Sequence, residues 1–138
     1  NEQFNIQDYV IELSEIYTID KDEYAVYFTT AYCPDCNSLV EHLNKYLQLE
    51  NKIIENLYIV DLTYTNEEDF NKMKSGNAMF DQDIINSSIN ATKLEETYFK
   101  TAPCIYIFKK INGINTLSNL LLNYQQVYDV LALNNLSN

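Results

Sequence analysis

Apolar residues recur at intervals of three and four through residues 4–17, where Ile6, Tyr9, Val10, Leu13, Ile16 and Tyr17 share one side. That spacing predicts a helix with one buried stripe. The pattern then changes. Residues 24–29 are mostly aromatic or β-branched, which predicts a buried strand. Ala31, Tyr32, Cys33, Pro34, Asp35 and Cys36 follow. After them the helical period resumes to about Glu50, with Leu39, Val40, Leu43 and Leu47 on its inner face. Residues 57–62 predict a second strand.

From Thr63 to Thr101 the chain is polar and rich in Asn, Asp and Ser. Short helices are predicted over Glu67–Lys74 and Lys93–Phe99, with an irregular middle near Ser75–Asn90. Cys104–Phe108 predicts a third strand, Asn112-Gly113 a tight hairpin turn, and Thr116–Leu122 an antiparallel fourth strand. Tyr124, Val127, Tyr128, Val130, Leu131 and Leu133 give residues 123–135 the broad apolar face of a closing helix. The order is α-β-α-β-(α)-β-β-α. With no internal repeat, low-complexity tract or dividing linker, residues 1–138 are expected to form one α/β domain.

The chain is long enough, and at 46% hydrophobic apolar enough, to bury one core without metals or staples. No apolar run reaches the ~18 residues of a membrane-spanning helix, and no basic, apolar leader opens the chain. It begins at Asn1 rather than methionine. A removed upstream leader or anchor, and hence an extracytoplasmic location, is the favoured reading, with a cytoplasmic one as the alternative. Lys and Arg number 9 against 20 Asp and Glu, a formal charge of −11. Such a surface repels nucleic acid and anionic membranes; its plainest role is to keep the chain soluble. Three cysteines are too few for a disulfide framework and suit a redox pair plus one solitary thiol.

A Cys-x-x-Cys pair at a strand-to-helix junction carries specific chemistry. Cys33 falls at the helix start, where unpaired N–H groups and the positive dipole end favour a thiolate, the nucleophile of disulfide exchange. Pro34 takes the first helical position, where its missing N–H is no loss. Cys36, one turn on, is placed to attack a mixed disulfide and release the product. Asp35 works against its neighbour: its negative charge destabilises a Cys33 thiolate, raises the thiol pKa and makes the couple more reducing. The competing reading is an ordinary buried pair or half a zinc site. Structural zinc takes four ligands and only Cys104 and His42 remain, so no metal or other cofactor is expected.

Pro103 opens the third predicted strand after Thr101-Ala102. On the proline alone a trans bond is expected, since about 5–6% of X–Pro bonds are cis. The order of strand, Cys-x-x-Cys, long helix, strand, then a proline leading a hairpin and closing helix resembles the thioredoxin superfamily over about residues 4–135. The resemblance implies a thioredoxin-like fold, a central mixed four-stranded sheet flanked by helices, with an enlarged segment before the proline. It further implies that Cys33 and Cys36 are the redox pair and that Pro103 is cis and lies against them. Ala102 would pair its backbone with a bound substrate chain. The Cys-Pro-Asp-Cys stretch is similar to that of cytosolic thioredoxin-related proteins. The Asn-, Tyr- and Ile-rich composition and the extended segment before the proline look more like the bacteriocin transport accessory proteins of Gram-positive bacteria.

There are departures from that pattern. Tyr32 stands where many thioredoxins carry Trp, and beside Cys33 it is expected to be partly exposed and to contact partners. Tyr27 occupies the place of the family's buried Asp, so Cys36 lacks the usual carboxylate base. The segment 63–101 is either a lid or partner surface beside the site, or a surface elaboration. Cys104, turned by strand alternation away from the face of Pro103, is expected to be a buried inert thiol, with a third redox group as the alternative. His42 is expected on a solvated helix face.

Two functions are open at this stage. One is a monomeric thiol–disulfide oxidoreductase acting on cysteines of proteins or peptides together with a redox partner. The other is a non-catalytic peptide-binding or accessory module whose cysteines form a redox-switch disulfide.

Overall fold

The computed structural model describes residues 3–136. In chain order the elements are β1 (Glu23–Thr29), α1 (Pro34–Ser38), α2 (Val40–Leu47), β2 (Leu57–Asp61), α3 (Glu67–Phe70), β3 (Lys74–Ser75), α4 (Asp81–Ser88), β4 (Tyr98–Phe99), β5 (Cys104–Ile111), β6 (Ile114–Leu121) and α5 (Tyr124–Leu133). The main sheet has the order β2-β1-β5-β6, with β1 parallel to β2 and the other pairings antiparallel. Asn112 and Gly113 join β5 to β6 at φ 52° and 78°, the two left-handed residues that a tight hairpin turn requires.

Alternation along the strands divides the core between two faces. Ala25, Tyr27 and Ile105 point to one side and pack against Leu39, Leu43 and Tyr46 and against Val127, Val130 and Leu131 of α5. Val26, Phe28, Tyr106 and Phe108 point to the other, where Leu13, Ile16, Ile84 and Phe99 cover them. A β-α-β unit with parallel strands, followed by an antiparallel hairpin and a closing helix on this strand order, is the thioredoxin-like arrangement. The enlarged segment lies ahead of β5.

The N-terminal segment departs from the single helix that its spacing predicts. It forms two 3-10 turns, Ile6–Tyr9 and Leu13–Glu15, separated by extended chain in which Val10 bridges Ile59 and the Ile11 N–H reaches the Ile59 carbonyl at 2.8 Å. The reason lies in the packing. Ile6 and Tyr9 rest on the α2–α5 side, whereas Leu13 and Ile16 are buried on the opposite side. The segment wraps the margin of β2 and serves both faces, which one helical stripe cannot do.

The run after Cys36 is two helices rather than one. The Leu39 N–H bonds back to the Cys36 carbonyl, an i to i+3 turn between α1 and α2. The break turns Leu39 fully inward and leaves Val40, expected on the inner face, exposed. Within residues 63–101, α3 is shorter than its predicted span, and a 3-10 turn and strand β4 replace the helix expected over Lys93–Phe99. The middle is not irregular: α4 lies there and drives Ile84 into the core. β3 and β4 pair in parallel as a small second sheet. Past α4, Asn90 and Ala91 bond to both main-chain groups of Leu117 in β6, at 2.8 and 2.9 Å.

Candidate active site

Three loops meet at one end of the main sheet because of the strand registers. Phe28 of β1 faces Cys104 of β5, so the chain leaving β1 and the chain entering β5 meet there. Thr29 faces Asp61 in the parallel pair, which brings residues 62–64 to the same end. The Thr63 hydroxyl accepts the Ala31 N–H at 2.6 Å and stands 3.3 Å from the Thr30 hydroxyl; the Asp61 carboxylate accepts the Thr63 N–H at 3.0 Å. These bonds anchor the approach to the cysteines.

Tyr32 adopts φ 60°, a left-handed conformation uncommon for a bulky residue, and its side chain is 99% exposed. Cys33 is the N-cap of α1, with its Sγ accepting the Cys36 N–H at 3.2 Å. Pro34 is the first helical residue, and both it and Asp35 are exposed. Cys33 and Cys36 are joined by a disulfide; Cys33 is half-buried and Cys36 almost wholly buried. Cys33 Sγ lies 3.6 Å from the Ala102 carbonyl oxygen. The Ala102–Pro103 peptide bond is cis, Ala102 is half-buried and Pro103 is buried.

Two cavities flank the pair. A cleft of about 400 Å³ opens over Cys33 between Tyr32, Pro34, Asp35, Thr101 and Ala102. Behind Cys36 lies a space of about 260 Å³ bounded by Tyr27, Asn37, Val40, Ile59 and Asp61. Burial pushes the Tyr27 phenol well above its ordinary range, so it stays protonated near neutrality, whereas Asp61 brings a carboxylate to the same space. A cavity of about 450 Å³ near Glu23, Ile54 and Ile107 sits at the opposite end of β1 and holds none of these groups.

The chain is similar to a solved thioredoxin from Plasmodium falciparum, at 18% identity and a TM-score of 0.45, over 86% of this chain and 79% of that one. No protein-family model matches the chain, and no curated protein matches it.

The remaining candidates lie elsewhere. Cys104 is buried on the sheet face opposite Leu39 and Leu43, and desolvation drives its thiol far above the ordinary range. His42 is half-buried and packs edge-on against Tyr128 of α5, with ring centroids 5.4 Å apart. Sequence reasoning missed Thr63 and Asp61. Their signal is positional: in parallel strands the carboxyl ends lie together, so polar residues at and just past the end of β2 fall beside those at and just past the end of β1.

Proposed function

We propose that this chain is a thiol–disulfide oxidoreductase that exchanges disulfides with cysteines of protein or peptide substrates. The observation that carries the reading is the Cys33–Cys36 disulfide at the strand-to-helix junction, with the more exposed sulfur facing the Ala102 carbonyl in an open cleft. In the reducing direction, the Cys33 thiolate attacks a substrate disulfide. A Cys33–substrate S–S bond forms, the substrate's own S–S bond breaks, and the departing sulfur takes a proton. Cys36, deprotonated, then attacks Cys33 Sγ, so the intramolecular disulfide closes and the second substrate thiol leaves. The substrate gains two electrons and the protein loses two; a redox partner restores the dithiol. The Cys36 N–H supports negative charge on Cys33. The proton of Cys36 leaves through the cavity that Asp61 lines.

A second reading, a peptide-binding or accessory module with a switch disulfide, draws on Tyr27, a buried phenol where the family pattern has a carboxylate base. Among thioredoxin-like proteins, the composition and the long segment before Pro103 favour kinship with bacteriocin transport accessory proteins. An insulin-type reduction assay separates the two functions. Under exchange, Cys33→Ser abolishes turnover and Cys36→Ser accumulates a mixed disulfide with substrate. Equal rates for wild type and the double variant, with partner capture intact, would establish the module instead.

A further inference from the structure

We propose that the groove running from Cys33 across Ala102 to Phe70 is a substrate subsite for a peptide segment with one apolar and one basic side chain within about three residues of its cysteine. This rests on the exchange reading above. The cleft over Cys33 and a neighbouring one of about 400 Å³, lined by Leu62, Glu67, Phe70 and Phe99, share Thr30, Thr101 and Ala102. The two clefts therefore adjoin across these three residues. A chain tethered by its sulfur at Cys33 must lay its flanking residues somewhere, and extended peptide advances only about 3.3–3.6 Å per residue. The Ala102 N–H, which meets no intramolecular acceptor among the described residues, offers main-chain pairing along the way.

The floor selects the apolar side chain. Phe99 packs against Phe28, ring centroids 5.6 Å apart, and holds Phe70 edge-on at 5.7 Å, yet Phe70 itself is 38% exposed. A half-open ring backed by core aromatics accepts an apolar group with little loss of its own freedom.

The charges select the basic side chain. Asp35 at the cysteine end and Glu67 at the far end have no ion-pair partner among the described residues. The cation of the groove, Lys100, is held by the Met79 carbonyl at 2.7 Å and faces the Asp81 carboxylate at 3.7 Å. The depression is therefore negative, within a molecule of formal charge −11, and a cationic segment is drawn to it.

The test uses the reduced chain and synthetic peptides whose single cysteine carries a thionitrobenzoate group. Attack by the Cys33 thiolate forms the Cys33–peptide disulfide and releases thionitrobenzoate as a coloured thiolate. Hydroxyethyl disulfide serves as a small neutral substrate with no flanking residues. A peptide with Phe and Arg beside its cysteine is expected to react about tenfold faster than its Gly-for-Phe or Glu-for-Arg counterpart. Added salt narrows the Arg–Glu difference.

Phe70→Ala erases the Phe preference and Glu67→Gln reduces the Arg preference, each read as the ratio of peptide rate to hydroxyethyl disulfide rate. Glu67 is an exposed residue of α3, so the charge arm stands even if Phe70→Ala unfolds the segment. Equal rates for all peptides, or preferences kept in both variants, overturn the subsite. No reaction with hydroxyethyl disulfide, or undiminished reaction in Cys33→Ser, overturns the exchange reading instead.

Discussion

The Asp35 carboxylate stands exposed two positions after Cys33, and its charge opposes any negative charge that gathers on Cys33 Sγ. Replacing it with Asn removes that opposition. The Asp35→Asn thiolate is expected to form at lower pH, and the reduced pair becomes the more favoured form. The couple then turns more oxidising, by ~30 mV for each tenfold change in the exchange constant. Thiolate absorbance against pH and a glutathione titration measure the two effects. Cys104 behaves oppositely: its buried thiol stays protonated, so iodoacetamide is expected to label reduced Cys33 in the native protein and Cys104 only after unfolding. Peptide mapping after each treatment distinguishes them. At this scale the chemistry was legible, because Cys33, Pro34 and Cys36 are linked by the pitch of a single helical turn. Thr63, Glu67 and Phe70 were not, since only strand pairing and the return of the chain through residues 98–102 bring them to the cysteine end.

Local packing decides the elements that the sequence pattern misjudged. α4 carries few apolar residues, and its hold on the core is chiefly Ile84, fully buried beneath Gly76. A Cβ at Gly76 would stand 2.8 Å from Ile84 Cδ1 and 3.3 Å from the Phe99 carbonyl oxygen. Gly76→Ala must push Ile84 aside or part β3 from β4, at a cost of about 1–3 kcal/mol. Urea unfolding measures that loss, and Ile84→Val in the same background should recover part of it. One fully buried apolar side chain in a polar helix leaves no periodicity to read, so this stretch looked irregular. The N-terminal segment presents the reverse case: its period was strong, but its apolar residues serve two faces of a sheet, and periodicity alone does not say which layer each one meets. The strands and α5 were legible because each faces one consistent environment along its length.

Across the whole molecule, several tyrosines are buried as neutral phenols. Burial raises Tyr17 and Tyr46 to about 12, and lifts Tyr24, Tyr27 and Tyr106 further. In the unfolded chain each would ionise near pH 10. Between these limits the native state holds the more protons, so the contribution of these phenols to stability is full below about pH 10 and is lost as pH rises beyond it. Alkaline unfolding is therefore expected to coincide with a cooperative rise in the phenolate absorbance of these buried tyrosines above pH 10; ionisation of all 12 tyrosines while the near-ultraviolet circular dichroism stays native would contradict it.

The outer margins of the sheet lead to a different point. Val10 and Ile11 lie along β2, and Asn90 and Ala91 clasp β6 at Leu117. A newcomer seeking to extend the ladder sideways would first have to displace one of these built-in guards, so crowding need not lead to fibrils. Visitors are steered instead to the tip of the ladder, where the two sulfurs wait.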